Sequence, residues 1–177
     1  MSPDRASAIS PARRCAFTVV RRVFEQRAYA DRAFAAEARG LAPRDRALAQ
    51  AIAYGTVQRR LTVDHVAGGL LGRPLRRLQA PVLASLRIGI YQLLYLSGVA
   101  AHAAVGESVE LAKAYSPPGA RLVNAVLRRA AREGAARLDD LHDRDPGAAS
   151  ILHSLPAWLA ELWWRELGPD TARALMA

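Results

Sequence analysis

The run PVLASLRIGIYQLLYL at residues 81–96 constrains the fold more than any other part of the sequence. Its apolar residues recur at helical spacing, and Ile88 and Tyr91 extend the apolar surface around most of the circumference. A helix of this kind must be buried. The run is shorter than the roughly 20 apolar residues that a bilayer requires, and it carries Arg87 and Gln92. We therefore predict a central core helix rather than a membrane span.

The rest of the chain predicts an all-α protein. Ala, Leu, Arg and Glu dominate, β-branched runs are short, and apolar spacings of three and four recur throughout. The 177 residues suffice for one core and a small appendage. Cys15 is the only cysteine, which excludes an internal disulfide and a cysteine-based zinc site. The polar, basic amino terminus has no apolar signal segment, so we expect a cytoplasmic protein with no membrane partner.

Positive charge is concentrated toward the front of the chain. Residues 1–60 carry 12 arginines against 5 acids, whereas residues 136–177 carry 4 arginines against 7 acids. A habit of using arginine explains the scarcity of lysine but not this asymmetry. The uneven distribution favours a polyanion partner such as nucleic acid.

The first predicted helix, at residues 11–26, has a core face and an arginine face. Val19 and Val20 belong to the apolar stripe, and Glu25 is the only acid that opposes the arginines. Mixed charge runs are usually solvated surfaces, but here the acids are too few to balance the cations. The pattern leaves a solvated face and a nucleic-acid face equally open. The arginines in question are Arg13, Arg14, Arg21, Arg22 and Arg27.

Further helices are predicted at residues 29–39, from residue 43, and at 63–71, 102–115 and 120–133. Asp31 and Thr62 are candidate N-caps, and Gly55 allows another helix to come close. Beyond a polar linker at residues 139–147, Trp158 and Trp163 lie on a bulky apolar face with no place in the first core. We predict residues 1–10 to be a loose tail.

No catalytic constellation is recognisable. The sequence has no GxxxxGK[ST] loop and no HExxH motif, and its four histidines are scattered. Glu107 and Glu110 are interpreted as a solvated face, and Asn124 as a hydrogen-bonded amide of the core or of a helix end. We therefore predict no catalytic, cofactor-binding or metal-binding residue in these 177 residues.

Four stretches together resemble the NusB-type RNA-binding fold, and most of all the amino-terminal domain of the Sun (RsmB) family of rRNA cytosine-C5 methyltransferases. They are RDRALAQAIAYGTVQRR at 44–60, LRIGIYQLLYL at 86–96, HAAVGESVELAK at 102–113 and LVNAVLRR at 122–129. The resemblance implies a bundle of about seven helices in two packed sub-bundles over residues 11–134. Residues 135–177 resemble that family's linker and the start of a helical connector.

The resemblance also implies an RNA-binding first helix, with ARRCA matching the family's motif. One departure is Leu122, where freestanding NusB proteins commonly have an aromatic residue, and this change weakens the case for base stacking there. The three arginines at the end of the 120–133 helix also suit the negative end of its dipole. The predicted RNA-binding residues are Arg13, Arg14, Arg21, Arg22, Arg128 and Arg129.

Three functions follow from the resemblance. The first is the rRNA-recruiting domain of a methyltransferase whose S-adenosylmethionine-binding domain lies outside these residues. The second is a freestanding transcription antitermination factor that binds boxA-like RNA with a ribosomal protein. The third is an intramolecular scaffold that docks Trp158 and Trp163 against the methyltransferase domain.

Overall fold

The computed structural model describes residues 9–177, which form ten α-helices and no strand, so the all-α prediction is confirmed. Two short 3-10 turns, Leu75–Arg77 and Pro117–Gly119, precede the fifth and seventh helices. None of the helices in the described part of the chain is long and apolar enough to cross a membrane. The helices are α1 (Pro11–Gln26), α2 (Ala30–Glu37), α3 (Pro43–Gln58), α4 (Arg60–Leu71), α5 (Ala80–Tyr95), α6 (Ala101–Tyr115), α7 (Ala120–Asp139), α8 (Pro146–His153), α9 (Ala157–Leu167) and α10 (Pro169–Met176).

Helix α5 is the central helix that the 81–96 run predicts. It packs against α1, α3, α4, α6 and α7. Ile88 belongs to the apolar cluster formed mainly by α1, α2 and α3, whereas Leu86 and Ile90 belong to the cluster of α4, α6 and α7. All three side chains are completely buried. Helix α5 therefore joins two sub-bundles.

The polar residues of α5 have partners inside the bundle. Arg87 donates from Nε and Nη2 to the two carboxylate oxygens of Asp64, at 2.7 and 2.8 Å, and its guanidinium lies 4.3 Å from the centre of the Phe24 ring. Gln92 is buried and donates to the carbonyl of Ile88. Both residues can be buried because their donors are satisfied.

Gly55 provides the close helix approach that the sequence predicts. A Cβ at this position would lie 1.9 Å from the hydroxyl oxygen of Tyr91 and 2.0 Å from its Cζ atom. The Tyr91 ring in turn stacks on Tyr95, with 5.4 Å between the ring centres. The absence of a side chain at Gly55 thus allows the Tyr91 ring of α5 to pack directly on the α3 backbone.

Two predicted N-caps are wrong. Helix α4 already begins at Arg60, and the Thr62 hydroxyl inside it donates to the carbonyl of Ile151 at 2.6 Å. Asp31 lies in the first turn of α2 after the N-cap residue Tyr29. Thr62 cannot cap α4 because it is the third residue of the helix, and its hydroxyl instead donates to a carbonyl that is distant in sequence.

Helices α8, α9 and α10 form a third, small apolar cluster. Trp163 and Trp164 pack against it, whereas the Trp158 side chain is 65% exposed. Helix α8 docks on α4 through the Thr62 hydroxyl and through Ser154, whose Oγ accepts from the backbone N–H of Leu61 at 2.8 Å. Helices α8 to α10 therefore have their own apolar core and dock on the main bundle at α4.

The start of the described chain is held more firmly than a loose tail. Ile9 is buried in the α1–α3 cluster, and Ser10 donates from its backbone N–H and its hydroxyl to Glu107 at 2.8 and 2.6 Å. The prediction is therefore wrong for these two residues. Residues 1–8 lie outside the described part of the chain.

Candidate nucleic-acid interface

Arg13 lies inside the bundle, unlike the other predicted arginines of α1. It is 6% exposed, and its Nε donates to Oε1 of Gln92 at 2.7 Å while its Nη1 donates to Oε1 of Glu107 at 2.7 Å. These bonds join α1 to α5 and α6. RNA contact by Arg13 stays a prediction, and its burial argues against it.

The same network corrects the interpretation of Glu107. This carboxylate is half-buried and accepts hydrogen bonds from Ser10 and Arg13, so it is not part of a solvated face. Glu110, one turn further along, forms a surface ion pair with Lys113. The two glutamates therefore face different surroundings.

Arg14 lines an open groove of about 460 Å³ between α1, α2 and the end of α6. Thr18 and Tyr115 contribute to the same wall, and Glu37 lies on the α2 side. Cys15 also borders the groove, but burial raises the pKa of its thiol to about 11, so it is protonated at neutral pH. This groove is the first of two on the candidate interface; the whole set of lining residues is Ile9, Pro11, Arg14, Cys15, Thr18, Glu37, Leu41 and Tyr115.

Arg21 and Arg22 are half-buried and each is paired with an acid. Arg21 donates from Nε and Nη2 to the carboxylate of Glu25 at 2.5 and 2.7 Å, and the Glu25 hydrogen bond raises the pKa of Arg21. Arg22 donates from Nη1 to Glu37 at 2.9 Å. Ion pairs that are this open to solvent contribute little to stability, so the two guanidinium groups can donate to phosphate oxygens in addition to, or in place of, these carboxylates.

A second groove, of about 400 Å³, runs between the start of α6 and the middle of α7. Its polar lining comes from His102, Asn124, Arg128 and Arg132, over a floor of small apolar residues. Asn124 is half-buried and accepts from the Nε of Arg128 at 3.2 Å. The amide is hydrogen-bonded, as predicted, and it lies at the surface groove, where it orients an exposed arginine.

Arg129 points away from this groove and holds two helices together. Its Nη1 donates to the carbonyl of Leu70 near the end of α4 at 2.7 Å, and its Nε and Nη2 contact Glu133 at 3.2 and 3.0 Å. Like Arg13, Arg129 has an intramolecular positioning role, and RNA contact by it stays a prediction.

The dipole role assigned to the α7 arginines is wrong. Helix α7 continues to Asp139 instead of ending at residue 133, so Arg128, Arg129 and Arg132 lie in its middle. Dipole effects fade within the last turn of a helix. These arginines therefore need another role, which Arg129 has in its contact with α4.

The two grooves lie at opposite ends of α6, and α1 runs beside α6 in the same direction. Ser10 contacts Glu107 near the middle of α6, and the Phe17 ring lies 4.8 Å from the ring of Tyr115 at its end. Helical rise places His102 and Tyr115 about 20 Å apart. We call the polar and aromatic side chains in and next to these two grooves the basic strip; it comprises Arg14, Arg21, Arg22, His102, Tyr115, Arg128 and Arg132.

Three members of the basic strip were not predicted as site residues. Arg132 lies one turn after Arg128, so α-helical spacing alone places both on one face. His102 opens the predicted helix at 102–115, and Tyr115 closes it before the SPPG breaker. A position at a helix end next to a breaker is the signal that would have marked Tyr115 as an edge residue.

The described residues do not fit a metal ion or an S-adenosylmethionine site. No group of three His, Cys, Asp or Glu residues between 9 and 177 comes close enough to hold a metal ion. The Rossmann-like domain that the resemblance implies for this cofactor binds it at the carboxyl edge of a parallel sheet, and residues 9–177 contain no strand. No chemical step through such a group is derived for this chain.

Comparisons with known proteins support this fold. "Ribosomal RNA small subunit methyltransferase B" of Pseudomonas putida is 43% identical over 117 residues, which cover 66% of this chain and 26% of that protein. "Probable ribosomal RNA small subunit methyltransferase B" of Synechocystis is 32% identical over 169 residues, which cover 94% of this chain and 38% of that protein. The chain thus spans about a quarter to two fifths of the length of these relatives.

A solved structure and a family match agree on the core. The structure, described as "Crystal Structure of a Plectonemic RNA Supercoil", contains a chain with a TM-score of 0.66 and 21% identity, and the similarity covers 71% of this chain and 94% of that one. At this identity the likeness concerns the fold alone. The NusB family matches residues 10–132, which is more than half of the sequence and includes every residue that lines the grooves except Ile9. The chain belongs to the NusB family.

Proposed function

We propose that this chain is the rRNA-recruiting domain of a small-subunit rRNA cytosine-C5 methyltransferase. The observation that carries the proposal is the basic strip, in which arginines of α1 and α7 lie in and next to the grooves at the two ends of α6. Residues 11–134 would form the RNA-binding module, and residues 135–177 would connect it to the methyltransferase domain, whose reaction uses S-adenosylmethionine.

The arrangement of the strip suits a phosphate backbone. Arg14 lines the first groove, Arg128 and Arg132 line the second, and the two grooves are separated by about the length of α6. An RNA strand that follows α6 could place phosphates in both. Such contacts release counterions, so affinity would fall steeply with salt.

The extent of similarity supports the methyltransferase assignment over the alternatives. The Synechocystis relative aligns with 94% of the chain, so the similarity extends beyond the residues that match the NusB family. A freestanding antitermination factor that binds boxA-like RNA with a ribosomal protein needs only the bundle. The third candidate, a scaffold, draws on the 65% exposure of Trp158 on α9.

The salt dependence of RNA binding tests the proposal. The protein is titrated with a small-subunit rRNA fragment at several salt concentrations, and the slope of log affinity against log salt is measured. Arg14→Gln and Arg128→Gln should each make the slope less negative by about 0.7 to 0.9, the loss of one phosphate contact. Arg165→Gln is the matched control, because that arginine is 70% exposed on α9, outside the strip.

The outcomes separate the three candidates. Unchanged slopes for both strip variants would remove the strip from the RNA interface. Absence of RNA binding at low salt, with tight binding to a separately prepared methyltransferase domain, would favour the scaffold. A stable complex with a ribosomal protein and preferential binding of boxA-like RNA would favour the antitermination factor.

A further inference from the structure

Tyr115 stands out on the basic strip because it is an aromatic ring exposed among arginines. Its side chain is 44% exposed at the carboxyl end of α6, although most aromatic residues of the bundle are buried or half-buried. It lines the first groove together with Arg14 and Thr18. An exposed aromatic in a cationic groove is the usual composition of a site for unpaired nucleotides.

The ring of Tyr115 packs against a buried aromatic residue. Phe17 packs against it with 4.8 Å between ring centres and 36° between ring planes, and Phe17 itself is completely buried. The guanidinium carbon of Arg21 lies 5.7 Å from the Tyr115 ring centre and 5.6 Å from that of Phe17. A ring supported in this way loses little conformational entropy when it binds a ligand.

The charges around the ring favour a nucleotide over a neutral ring compound. Arg21 donates two hydrogen bonds to Glu25, its guanidinium carbon lies 5.7 Å from the centre of the ring, and its Nη1 makes no hydrogen bond to another described residue. Glu37, the acid in the groove, is paired with Arg22 at 2.9 Å. Both acids that the described residues place near the ring are therefore matched by an arginine.

We propose that Tyr115 stacks on an unpaired RNA base, whose flanking phosphate lies on Arg21. The inference rests on the proposed function and deepens it, because it specifies single-stranded RNA as the ligand of the first groove. Bases in a duplex are already stacked on each other and do not offer a free face to a protein ring. Tyr115 would supply the stacking surface that Leu122, a residue without a π system, does not.

Two substitutions separate stacking from packing. Tyr115→Leu keeps an apolar side chain against Phe17 but removes the aromatic face, whereas Tyr115→Phe keeps the face and loses only the hydroxyl. Each variant is titrated with an unstructured RNA strand and with a duplex of the same length at one fixed salt concentration. Trp158→Leu is the matched control for loss of an exposed aromatic outside the strip.

Stacking predicts a clear ranking. Tyr115→Leu should weaken binding of the single strand by about 5- to 150-fold, the effect of losing one stacked base, and should leave duplex binding nearly unchanged. Tyr115→Phe and Trp158→Leu should bind both RNAs like the unmodified protein. A Tyr115→Leu variant that binds the single strand as tightly as the unmodified protein would overturn the proposal while leaving RNA recruitment intact.

A fluorescent strand provides the second readout and covers a folding failure of the leucine variant. The fluorescence of 2-aminopurine in the strand should be quenched by the unmodified protein and by Tyr115→Phe when the base stacks. Binding without quenching would overturn the stacking proposal alone. No binding of any RNA by the unmodified protein at low salt would overturn both this proposal and the proposed function.

Discussion

Replacing Arg13 by alanine should destabilise the bundle rather than weaken an RNA contact. The substitution removes the donor to Oε1 of Gln92, which is 1% exposed, and leaving such an acceptor unpaired costs about 1–3 kcal/mol. Glu107 also loses a partner, but its side chain is 20% exposed and keeps two hydrogen bonds from Ser10. Its penalty is therefore below the 3–5 kcal/mol that is typical of a broken buried pair, at about 1–2 kcal/mol.

Together these losses give a decrease of about 3 kcal/mol in the free energy of unfolding. For a chain of this length the thermal midpoint should fall by about 6–12 °C. The stability of Arg13→Lys should lie between those of the unmodified protein and Arg13→Ala, because one ammonium cannot span Gln92 and Glu107 as the guanidinium does. Urea unfolding followed by circular dichroism measures the free energy directly.

Arg165→Ala is the control for this prediction. Its side chain is 70% exposed and pairs with the neighbouring Glu166, so its loss should change stability by no more than about 0.5 kcal/mol. An Arg13→Ala protein with an unchanged unfolding midpoint and a weakened RNA affinity would refute the assignment of Arg13 to the interior network.

Three further predictions concern packing, tail docking and pH. Gly55→Ala should destabilise the protein by about 1–3 kcal/mol because its Cβ would overlap the Tyr91 ring, whereas Gly68→Ala, with nothing within 4 Å, should stabilise it by about 0.5–1 kcal/mol; urea unfolding measures both, and equal effects would contradict the packing. Thr62→Val should weaken the docking of α8 on α4. All tryptophans lie in α9, so tryptophan fluorescence should change at a lower urea concentration than circular dichroism, and coincident transitions would contradict the docking. The pKa of the Cys15 thiol is about 11 in the folded protein and 9.0 in the unfolded chain, so its contribution to the free energy of unfolding is complete below pH 9 and is lost between pH 9 and 11. Between pH 8 and pH 10.5 the unmodified protein should therefore lose more stability than Cys15→Ala, as measured by unfolding at both pH values. Equal losses would argue against burial of the thiol.

The fold was predictable where local spacing decides the structure. The 81–96 run is apolar nearly all round, and α5 is indeed the helix shared by both sub-bundles. The first helix begins and ends where the sequence predicts, with Pro11 in its first turn. Gly55 was predicted to admit a neighbouring helix, since a bare backbone position inside an apolar stripe has few other uses.

The sequence did not predict which arginines are buried and which are exposed. Arg13 and Arg14 are neighbours in sequence, yet Arg13 is buried because Glu107, 94 positions away, accepts its hydrogen bond. Arg129 similarly contacts the carbonyl of Leu70, 59 positions away. Partners at such separations leave no periodic signal, so the sequence presents every arginine of a face as equivalent.

The docking of α8 on α4 could not be predicted for the same reason. Threonine is a residue type that often caps helices, and only the folded chain places the Ile151 carbonyl 2.6 Å from the Thr62 hydroxyl. The separate tail cluster follows from composition, since Trp163 and Trp164 need apolar neighbours. Its docking on α4 depends on hydrogen bonds between distant segments.

Photo-crosslinking of the protein to small-subunit rRNA that carries 4-thiouridine tests the central claim most directly, since it reports which residues the RNA contacts. The account predicts crosslinks in α1 around Arg14 and Arg21, at the end of α6 around Tyr115, and in α7 around Arg128. Crosslinks confined to α9 and α10, or none above background at low salt, would contradict the assignment of the basic strip as the RNA-binding surface.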